Sequence, residues 1–238
     1  MYGHRARIGY TSPPAVTETF PYEFYKIVPD GVTLAITTLN IVHMTQDELA
    51  EGARINSECA RLIAEAKVDI IILGGVPLNL ALGLDGLDET IKTLETETGI
   101  PVTSSLTAQI NALKAIKANK VGVGTPFEQG HNIYQGYLEH HGFELGALAG
   151  AGRKVLNLAV ADGSMAMDLA RRLLEENQDL DTLYFPAPHW GIIEMIEPME
   201  LELGVDVITS VQAIVWEGLR KAGVSDPVPG YGRLLRDF

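Results

Sequence analysis

The sequence predicts an α/β fold of two similar lobes, each with a mainly parallel sheet flanked by helices. Strand-like apolar runs alternate with helix-like amphipathic segments along the chain, which is the pattern of parallel sheets with crossover helices. Three short segments of the first half also recur in the same order in the second half. An ordered internal repeat indicates a duplicated unit. We therefore expect two pseudo-symmetric lobes with an active site in the cleft between them.

The three repeated segments each lie at the end of a strand. The matching pairs are residues 8–13 with 121–126, 69–76 with 181–188, and 102–105 with 207–210. The second pair places Gly75 and Ala187 at equivalent positions, one in each lobe. We expect lobe 1 to span residues 1–117, with residues 211–238 packing back onto it, and lobe 2 to span residues 118–210.

In the first half, four apolar runs bounded by prolines, glycines or helix caps predict strands. These runs are residues 8–12, 32–41, 68–73 and 101–104. A helix is predicted to begin at Thr45, because Thr45 and Glu48 have the spacing of a capping box. Residues 80–87 are predicted to form a loop into a helix, and Ser104 or Ser105 is predicted to cap the next helix.

The second half repeats this alternation. Its strand candidates are residues 120–124, 143–149, 155–160, 180–185 and 205–208. A helix is predicted over residues 128–141, and Asp162 or Ser164 is predicted to cap a second one. Ser210 is predicted to cap the last helix.

The turn at residues 184–190 (YFPAPHW) follows a buried strand and precedes a helix. Open α/β sheets present ligand-binding groups at this junction. Pro186 and Pro188 flank Ala187, so the turn continues neither as a helix nor as a ladder, and its direction is fixed. The residue at position 187 therefore decides the chemistry of the turn.

The composition excludes several classes of partner. Lys and Arg total 18 against 31 Asp and Glu, which gives a formal net charge of −13. Nucleic acids and anionic membranes require a basic surface, so we expect neither as a partner. The chain has no apolar run of about 18 residues and no secretory signal pattern, so we expect a cytoplasmic protein. The expected partner is a small molecule, and self-association into a homo-oligomer is left open.

The single cysteine, Cys59, excludes an internal disulfide and a cysteine-based zinc cluster. It falls on the helix that begins at Thr45, where we expect an ordinary buried residue. The sequence contains no HExxH motif and no nearby carboxylate pair with ligand spacing. The glycine runs at residues 122–124 and 150–152 fit neither a dinucleotide fingerprint nor a P-loop. We therefore expect neither a metal nor an organic cofactor.

The sequence resembles the aspartate/glutamate racemase superfamily. Four features carry the resemblance: the two-lobe repeat, the Thr125-Pro126 turn, the paired strand-end turns and the tail at residues 229–234. Within it they resemble the branch of arylmalonate decarboxylase and maleate cis-trans isomerase, over nearly the whole chain. Racemases of this superfamily carry a cysteine at both strand-end turns. The decarboxylases have glycine at the first turn and protonate a planar enediolate-like intermediate from one face. Gly75 matches the decarboxylase pattern and counts against a two-base racemase and a maleate isomerase.

The resemblance also assigns further site residues. Ser12 and Pro14 resemble the proline-rich active-site turn of the decarboxylase. Val76 stands where the decarboxylase has hydroxyl residues that hold the substrate carboxylate. Phe127 stands where the family usually has a tyrosine that donates to that carboxylate. Ala187 stands where the second cysteine is expected.

Three explanations of Ala187 are open. The protein is a natural variant that lost the thiol, and it binds without catalysis or works through another group. Alternatively, His189 is the proton donor, since histidine suits proton transfer near neutral pH. In the third explanation, which we favour, alanine replaces a native cysteine, a common way to hold a substrate in place.

Decarboxylation of a substituted malonate builds negative charge on carboxylate oxygens, and that charge needs donors already aimed at it. The candidate donors are turn amides and nearby polar side chains: Val76, His189, Ser12, Asn79, Thr125 and Thr209. Pro14, Phe127 and Trp190 are expected to form an apolar side pocket that desolvates the departing carboxylate, with Pro188 beside position 187. One acid, a thiol at position 187 or His189, then delivers the proton.

The sequence therefore predicts a cofactor-independent lyase that decarboxylates a small substituted malonate or a related carboxylate. Two alternatives stay open. One is an isomerase, racemase or tautomerase of a small carboxylic acid that uses His189 as its single acid and base. The other is a carboxylate-binding protein without catalysis. With alanine at position 187, this form is expected to be inactive if the acid is a thiol.

Overall fold

The computed structural model describes residues 2–42, 45–127, 132–152 and 163–238. The chain divides into two compact units. Unit 1 comprises Met1–Thr17, Val28–Ala108 and Ile214–Asp226, and unit 2 comprises Glu18–Ile27, Gln109–Ala213 and Pro227–Phe238. Each unit contains one sheet and is described by itself below.

Eight strands are present in the described ranges. They are β1 (Ala6–Pro14), β2 (Val32–Ile41), β3 (Ile70–Leu73), β4 (Val102–Ser104), β5 (Lys120–Thr125), β6 (Glu144–Gly150), β7 (Thr182–Phe185) and β8 (Asp206–Thr209). The sheet of unit 1 has the order β2-β1-β3-β4, and the sheet of unit 2 has the order β6-β5-β7-β8. All neighbouring strands are parallel, which confirms the predicted α/β class.

Helices connect the strands, as parallel pairing requires. They are α1 (Thr19–Ile27), α2 (Gln46–Glu65), α3 (Val76–Ala81), α4 (Gly83–Thr98), α5 (Ser105–Ala115), α6 (Asn132–His140), α7 (Ser164–Glu176), α8 (Ile196–Leu203), α9 (Ser210–Lys221) and α10 (Arg233–Asp237), with a 3-10 turn at Ile193–Met195. No helix in the described ranges combines the length and the apolar character needed to cross a membrane.

The pairing registers confirm the internal repeat. In unit 1, Leu73 of β3 pairs with Ser104 of β4. In unit 2, Phe185 of β7 pairs with Thr209 of β8. Both pairs are the last residues of their strands, and Gly75 and Ala187 each follow by two residues after β3 and β7. The two strand-end turns are therefore structurally equivalent positions of two like sheets.

The division into units differs in detail from the lobe boundaries expected at residues 117 and 210. The changes of unit at Ala108/Gln109 and Ala213/Ile214 fall inside α5 and α9 rather than at the ends of these helices. Helix α1 and the C-terminal tail, residues 227–238, belong to unit 2.

Several local predictions are confirmed. Thr45 Oγ1 accepts the Glu48 amide at 3.3 Å, and Glu48 Oε2 accepts the Thr45 amide at 3.1 Å, which is the predicted capping box. Ser104 Oγ accepts the Thr107 amide at 3.0 Å, so Ser104 is the cap of α5. Cys59 is a free, buried residue of α2.

Other local predictions are wrong. Residues 80–87 are not a loop, because α3 and α4 follow each other almost without a break. Gly163, not Ser164, precedes the first turn of α7. Thr209, not Ser210, caps α9, as the hydrogen bonds below show. The predicted strand at 155–160, the cap Asp162 and the first residues of the predicted helix over 128–141 lie outside the described residues.

The core of unit 1 consists of aliphatic side chains from both faces of its sheet. One cluster joins α2 and α4 to β3 and β4, and it comprises Ala60, Ile63, Val68, Ile71, Leu73, Leu94 and Val102. Burial of each large aliphatic side chain contributes about 1.5–3 kcal/mol of stability. Strand β3 is buried on both faces, which explains why its sequence is an uninterrupted apolar run.

A buried polar network holds the end of β3 against β1. Thr11 Oγ1 donates to Asn56 Oδ1 and accepts the Gly74 amide at 2.9 Å. Asn56 Nδ2 donates to the Gly74 carbonyl at 3.2 Å. A Cβ at Gly74 would lie 1.8 Å from the Thr11 carbonyl oxygen. The backbones therefore approach so closely that only glycine fits at position 74.

We expect Gly74→Ala to lower the free energy of unfolding by about 3 kcal/mol or more, because backbone rather than a flexible side chain blocks the new methyl group. Gly86→Ala is the matched control within α4, where a Cβ meets nothing closer than Leu82 Cβ at 3.7 Å. We expect that control to be stabilising by about 0.5–1 kcal/mol. Urea unfolding of both variants measures the difference, and equal stabilities would contradict the close approach.

Candidate active site

The first strand-end turn carries no side chain at its central residue, Gly75. Gly75 precedes α3 with φ 91° and ψ 92°, a conformation that L side chains rarely adopt. A Cβ there would lie 2.7 Å from Pro13 Cγ and 2.9 Å from Leu78 Cδ1. Val76, the next residue, is buried as the first residue of α3. The turn therefore offers backbone, and no nucleophile or acid, at the position equivalent to Ala187.

Asn79 holds the same turn from α3. Its Nδ2 donates to the Leu73 carbonyl and to Ser105 Oγ, both at 3.2 Å. The Asn79 amide donates to the Gly75 carbonyl at 2.9 Å. Both side-chain hydrogens are thus engaged within unit 1, so Asn79 orients the turn rather than offering them to a ligand.

Ser12 and Pro14 lie at the carboxyl end of β1. The register against β2 shifts between these two residues, and Asn40 on β2 takes a left-handed conformation with φ 59°. Such a bulge turns the end of a strand in a new direction. The Ser12 hydroxyl is buried and has no hydrogen-bond partner in the described part of the chain. Ser12 therefore presents a free donor at the edge where β3 ends.

In unit 2, the hydroxyl of Thr125 is engaged locally. Thr125 ends β5, and its Oγ1 donates to the Phe127 carbonyl at 2.9 Å. Phe127 is half-buried. The Thr125 hydroxyl hydrogen thus closes its own turn, and only the lone pairs of the oxygen stay available to a ligand.

The second strand-end turn is built without glycine. The Trp190 amide donates to the Ala187 carbonyl at 3.2 Å, which closes a tight turn over residues 187–190. Ala187 is buried, and Pro188 is half-buried. The Trp190 ring packs edge-on against Phe185 with centroids 6.0 Å apart, and its buried Nε1 has no partner in the described ranges. Unlike Gly75, position 187 accommodates a side chain.

His189 is uncharged near neutral pH. Desolvation by burial lowers the pKa of its imidazole to about 4. Its Nε2 is buried and lacks a hydrogen-bond partner among the described residues. An imidazolium with this pKa is almost absent at pH 7, so His189 is a poor proton donor there. A neutral imidazole can still orient a ligand by a hydrogen bond.

Thr209 is the cap of α9. Its Oγ1 accepts the Gln212 amide at 3.4 Å, and Gln212 Oε1 accepts the Thr209 amide at 3.2 Å. This reciprocal pair is a capping box. Ser210, which was predicted to be the cap, is left with a buried hydroxyl that has no partner within the described ranges.

Glu23 is a functional candidate that the sequence did not reveal. It lies on α1, and its Oε1 accepts the Ile193 amide at 2.9 Å. It lines a pocket of 620 Å³ in unit 2, together with Glu18, Thr19, Tyr22, Lys26, Gly163, Gly191, Ile193, Glu194 and Met195. Desolvation raises the pKa of the Glu23 carboxyl to about 7, although the amides of Ile193 and Ile192 oppose the shift. Glu23 therefore ties α1 to the segment that follows the 187–190 turn.

The predicted site residues fall into two groups by their hydrogen bonds. Asn79 and Thr125 have their side-chain hydrogens engaged, and Thr209 serves as a cap. Ser12 and His189 retain buried polar atoms without partners in the described ranges, as Trp190 does. Buried polar groups are nearly always paired, so such atoms mark places for a ligand or water. Across the described ranges, no three His, Cys, Asp or Glu side chains are grouped to hold a metal.

Known proteins are similar to this chain over nearly its whole length. A family model described as arylmalonate decarboxylase matches residues 8–235. The arylmalonate decarboxylase of Bordetella bronchiseptica is 25% identical over 231 residues, which cover 96% of this chain and 95% of that protein. The maleate isomerase of Pseudomonas putida is 24% identical over 217 residues, which cover 88% and 86%. Both relatives are enzymes that span nearly the same length.

Solved structures share the fold. A liganded double mutant of arylmalonate decarboxylase, with glycine changed to cysteine and cysteine to serine, superposes with a TM-score of 0.88 at 23% identity, covering 96% of this chain and 98% of that one. A maleate cis-trans isomerase mutant of Nocardia farcinica with a covalently bound succinylcysteine intermediate superposes with a TM-score of 0.85 at 22% identity, covering 98% and 99%.

His189 makes stability depend on pH. Its folded-state pKa lies below the unfolded value, so the unfolded chain binds the extra proton first as pH falls. We expect its contribution to be lost between about pH 6.5 and 4, by up to about 3 kcal/mol. In urea unfolding across this window, His189→Asn should abolish that loss. His140→Asn replaces an exposed histidine of α6 and is the control, which should keep the parent protein's dependence of unfolding free energy on pH. If His189→Asn kept that dependence as well, the lowered pKa of His189 would be contradicted.

Glu23 makes stability depend on pH in the opposite direction to His189. Its folded-state pKa is raised, so the native state holds a proton that the unfolded state has released. We expect stability to fall as pH rises from about 4.5 to 7, by up to about 3 kcal/mol, and Glu23→Gln to remove this fall. The two windows overlap, so only the single variants reveal the separate slopes. If Glu23→Gln and His189→Asn changed the slope of unfolding free energy against pH in the same direction, one of the two pKa shifts would be wrong.

Proposed function

This chain belongs to the arylmalonate decarboxylase family, and we propose that it is a cofactor-independent decarboxylase scaffold for a small substituted malonate. The observation that carries the proposal is the contrast between the two strand-end turns. Gly75 has a positive φ that strains any L side chain, and a Cβ there would be crowded by Pro13 and Leu78, whereas the buried position 187 carries a Cβ. In this chain only the second of the two turns carries a Cβ at the equivalent position, and a decarboxylase that protonates from one face needs an acid at one turn.

The reaction breaks the bond between the α-carbon and one carboxyl group. The bonding electron pair stays on the α-carbon and delocalises into the remaining carboxylate, and CO₂ leaves. Neutral donors aimed at that carboxylate stabilise the resulting enediolate. Ser12 supplies a free hydroxyl, and the Val76 amide is a second candidate. Thr125, whose hydrogen is engaged, contributes less to this step than the sequence suggested.

The proton comes from position 187 when a thiol is present there. A cysteine thiol transfers its proton to the α-carbon and becomes a thiolate, which solvent then reprotonates. The lowered pKa of His189 argues against histidine as a substitute acid near neutral pH. We therefore propose that the protein with Ala187 binds the malonate and does not turn it over.

A second candidate function is isomerisation of a small unsaturated dicarboxylate. It is favoured by the similarity to a maleate isomerase over most of the chain. Gly75 weighs against it, because a maleate isomerase of the family pattern needs a cysteine nucleophile at the first turn. The decarboxylation and the isomerisation can both be tested with the same protein.

We expect Ala187→Cys to release CO₂ from phenylmalonate, while the parent protein releases none above the uncatalysed rate. Ala187→Ser is the matched control, because a hydroxyl of similar size is far less acidic than a thiol. Its rate should stay within about tenfold of the parent protein, at least about a hundredfold below the cysteine variant. Evolved CO₂ and the chirality of a product from an α-methyl substrate are measured.

Conversion of maleate to fumarate by Ala187→Cys, without CO₂ release, would replace the decarboxylase proposal with the isomerase. Binding of phenylmalonate without turnover by any variant would instead favour a carboxylate-binding protein. CO₂ release by the parent protein that His189→Asn abolishes would restore His189 as the acid.

A further inference from the structure

Ser210 is the first residue of α9 and has a fully buried side chain. Thr209 caps the helix, so the Ser210 hydroxyl is not needed for that task. No described group takes the hydrogen of this hydroxyl or donates to its oxygen. A buried hydroxyl without a partner costs free energy, so this hydroxyl marks a place for a ligand or a water.

The equivalent serine of unit 1 has a partner. Ser105 follows the last residue of β4 as Ser210 follows the last residue of β8, and Ser105 Oγ accepts Asn79 Nδ2 at 3.2 Å. By the internal repeat, the position that matches Asn79 is Gly191, which has no side chain to offer. Unit 2 therefore has the equivalent serine but not the equivalent asparagine.

The surroundings of Ser210 suit a carboxylate. The first-turn amides of α9 have no acceptor within the helix, apart from the Gln212 amide that Thr209 takes. Amides and a hydroxyl at a helix N-terminus attract an anion. Thr209 pairs with Phe185, and Ala187 follows Phe185 by two residues, so Ser210 and the proposed acid position lie on neighbouring strand ends of one sheet.

We propose that the Ser210 hydroxyl, together with the first-turn amides of α9, donates to the carboxylate that the substrate retains. This assignment rests on the proposed function. It concerns the retained carboxylate because the departing one must lose its hydrogen bonds to leave as neutral CO₂, whereas the retained one gains charge in the enediolate. Ser210 is thereby a catalytic residue that sequence reasoning assigned only to a helix cap.

The test uses isothermal titration of the Ala187 protein with phenylmalonate and with phenylacetate, which keeps only the retained carboxylate. Ser210→Ala should weaken binding of both probes by a similar factor, about 10- to 100-fold, as expected for a lost hydrogen bond to a charged group. Ser164→Ala is the control, at the first residue of α7 in the same unit, and should leave both affinities within about twofold.

Thermal unfolding of the free protein supplies an independent readout. Ser210→Ala should keep or raise the melting temperature, because a buried hydroxyl without a partner is removed. Ser105→Ala should lower it, because Asn79 Nδ2 loses an acceptor. A lower melting temperature for Ser210→Ala would show that its hydroxyl has a structural partner and would overturn the assignment.

The outcomes separate the two proposals. If the parent protein binds both probes and Ser210→Ala binds them as tightly, the Ser210 assignment fails and the proposed function stands. Weakening confined to phenylmalonate would place Ser210 at the departing carboxylate and overturn the assignment. If neither probe binds the parent protein at millimolar concentration, the proposed function fails, and the assignment fails with it.

Discussion

The close approach of the β3 end to β1 is the constraint on which the first strand-end turn depends. Gly74 lies against the Thr11 carbonyl, and Thr11 and Asn56 satisfy the polar groups that this approach buries. The chain then turns through a second glycine, Gly75, whose φ is 91°. This turn carries no acid and no nucleophile, because glycine occupies both of its positions.

The second strand-end turn has the same place in its sheet but is held by different interactions. Pro186 has no amide, so it cannot form the counterpart of the hydrogen bond from the Gly74 amide to Thr11 Oγ1. Packing of Trp190 on Phe185 and the hydrogen bond from the Trp190 amide to the Ala187 carbonyl hold the turn instead. In this arrangement position 187 carries a buried side chain. The two equivalent turns of the duplicated fold thus differ in chemistry, because only the second carries a side chain at its central position.

The sequence was sufficient for the sheets, because their strands alternate with helices and end at prolines, glycines or helix caps, and the repeat indicated their equivalence; among the described strands only β3 is a continuous apolar run buried on both faces. It was insufficient for α1, whose first turn contains Pro21 and whose aromatic residues have modest helix propensity; burial of Phe20 and Phe24 stabilises it instead. Helix α3 is too short for periodicity to reveal. Ser210 was missed because adjacent Thr209 and Ser210 are equally good caps in sequence, and only the hydrogen bonds distinguish them.

Under the proposed function, the groups predicted to bind the anionic substrate are neutral donors. The net charge is −13, and none of the residues predicted for the site is lysine or arginine. The low pKa of His189 removes the one cation that the second turn could carry near neutral pH. Hydroxyls and amides held in place by capping and by buried networks stabilise charge without neutralising it. A dicarboxylate bound by such groups keeps its charge in a poorly solvating environment, which is the condition that favours expulsion of one carboxylate as CO₂.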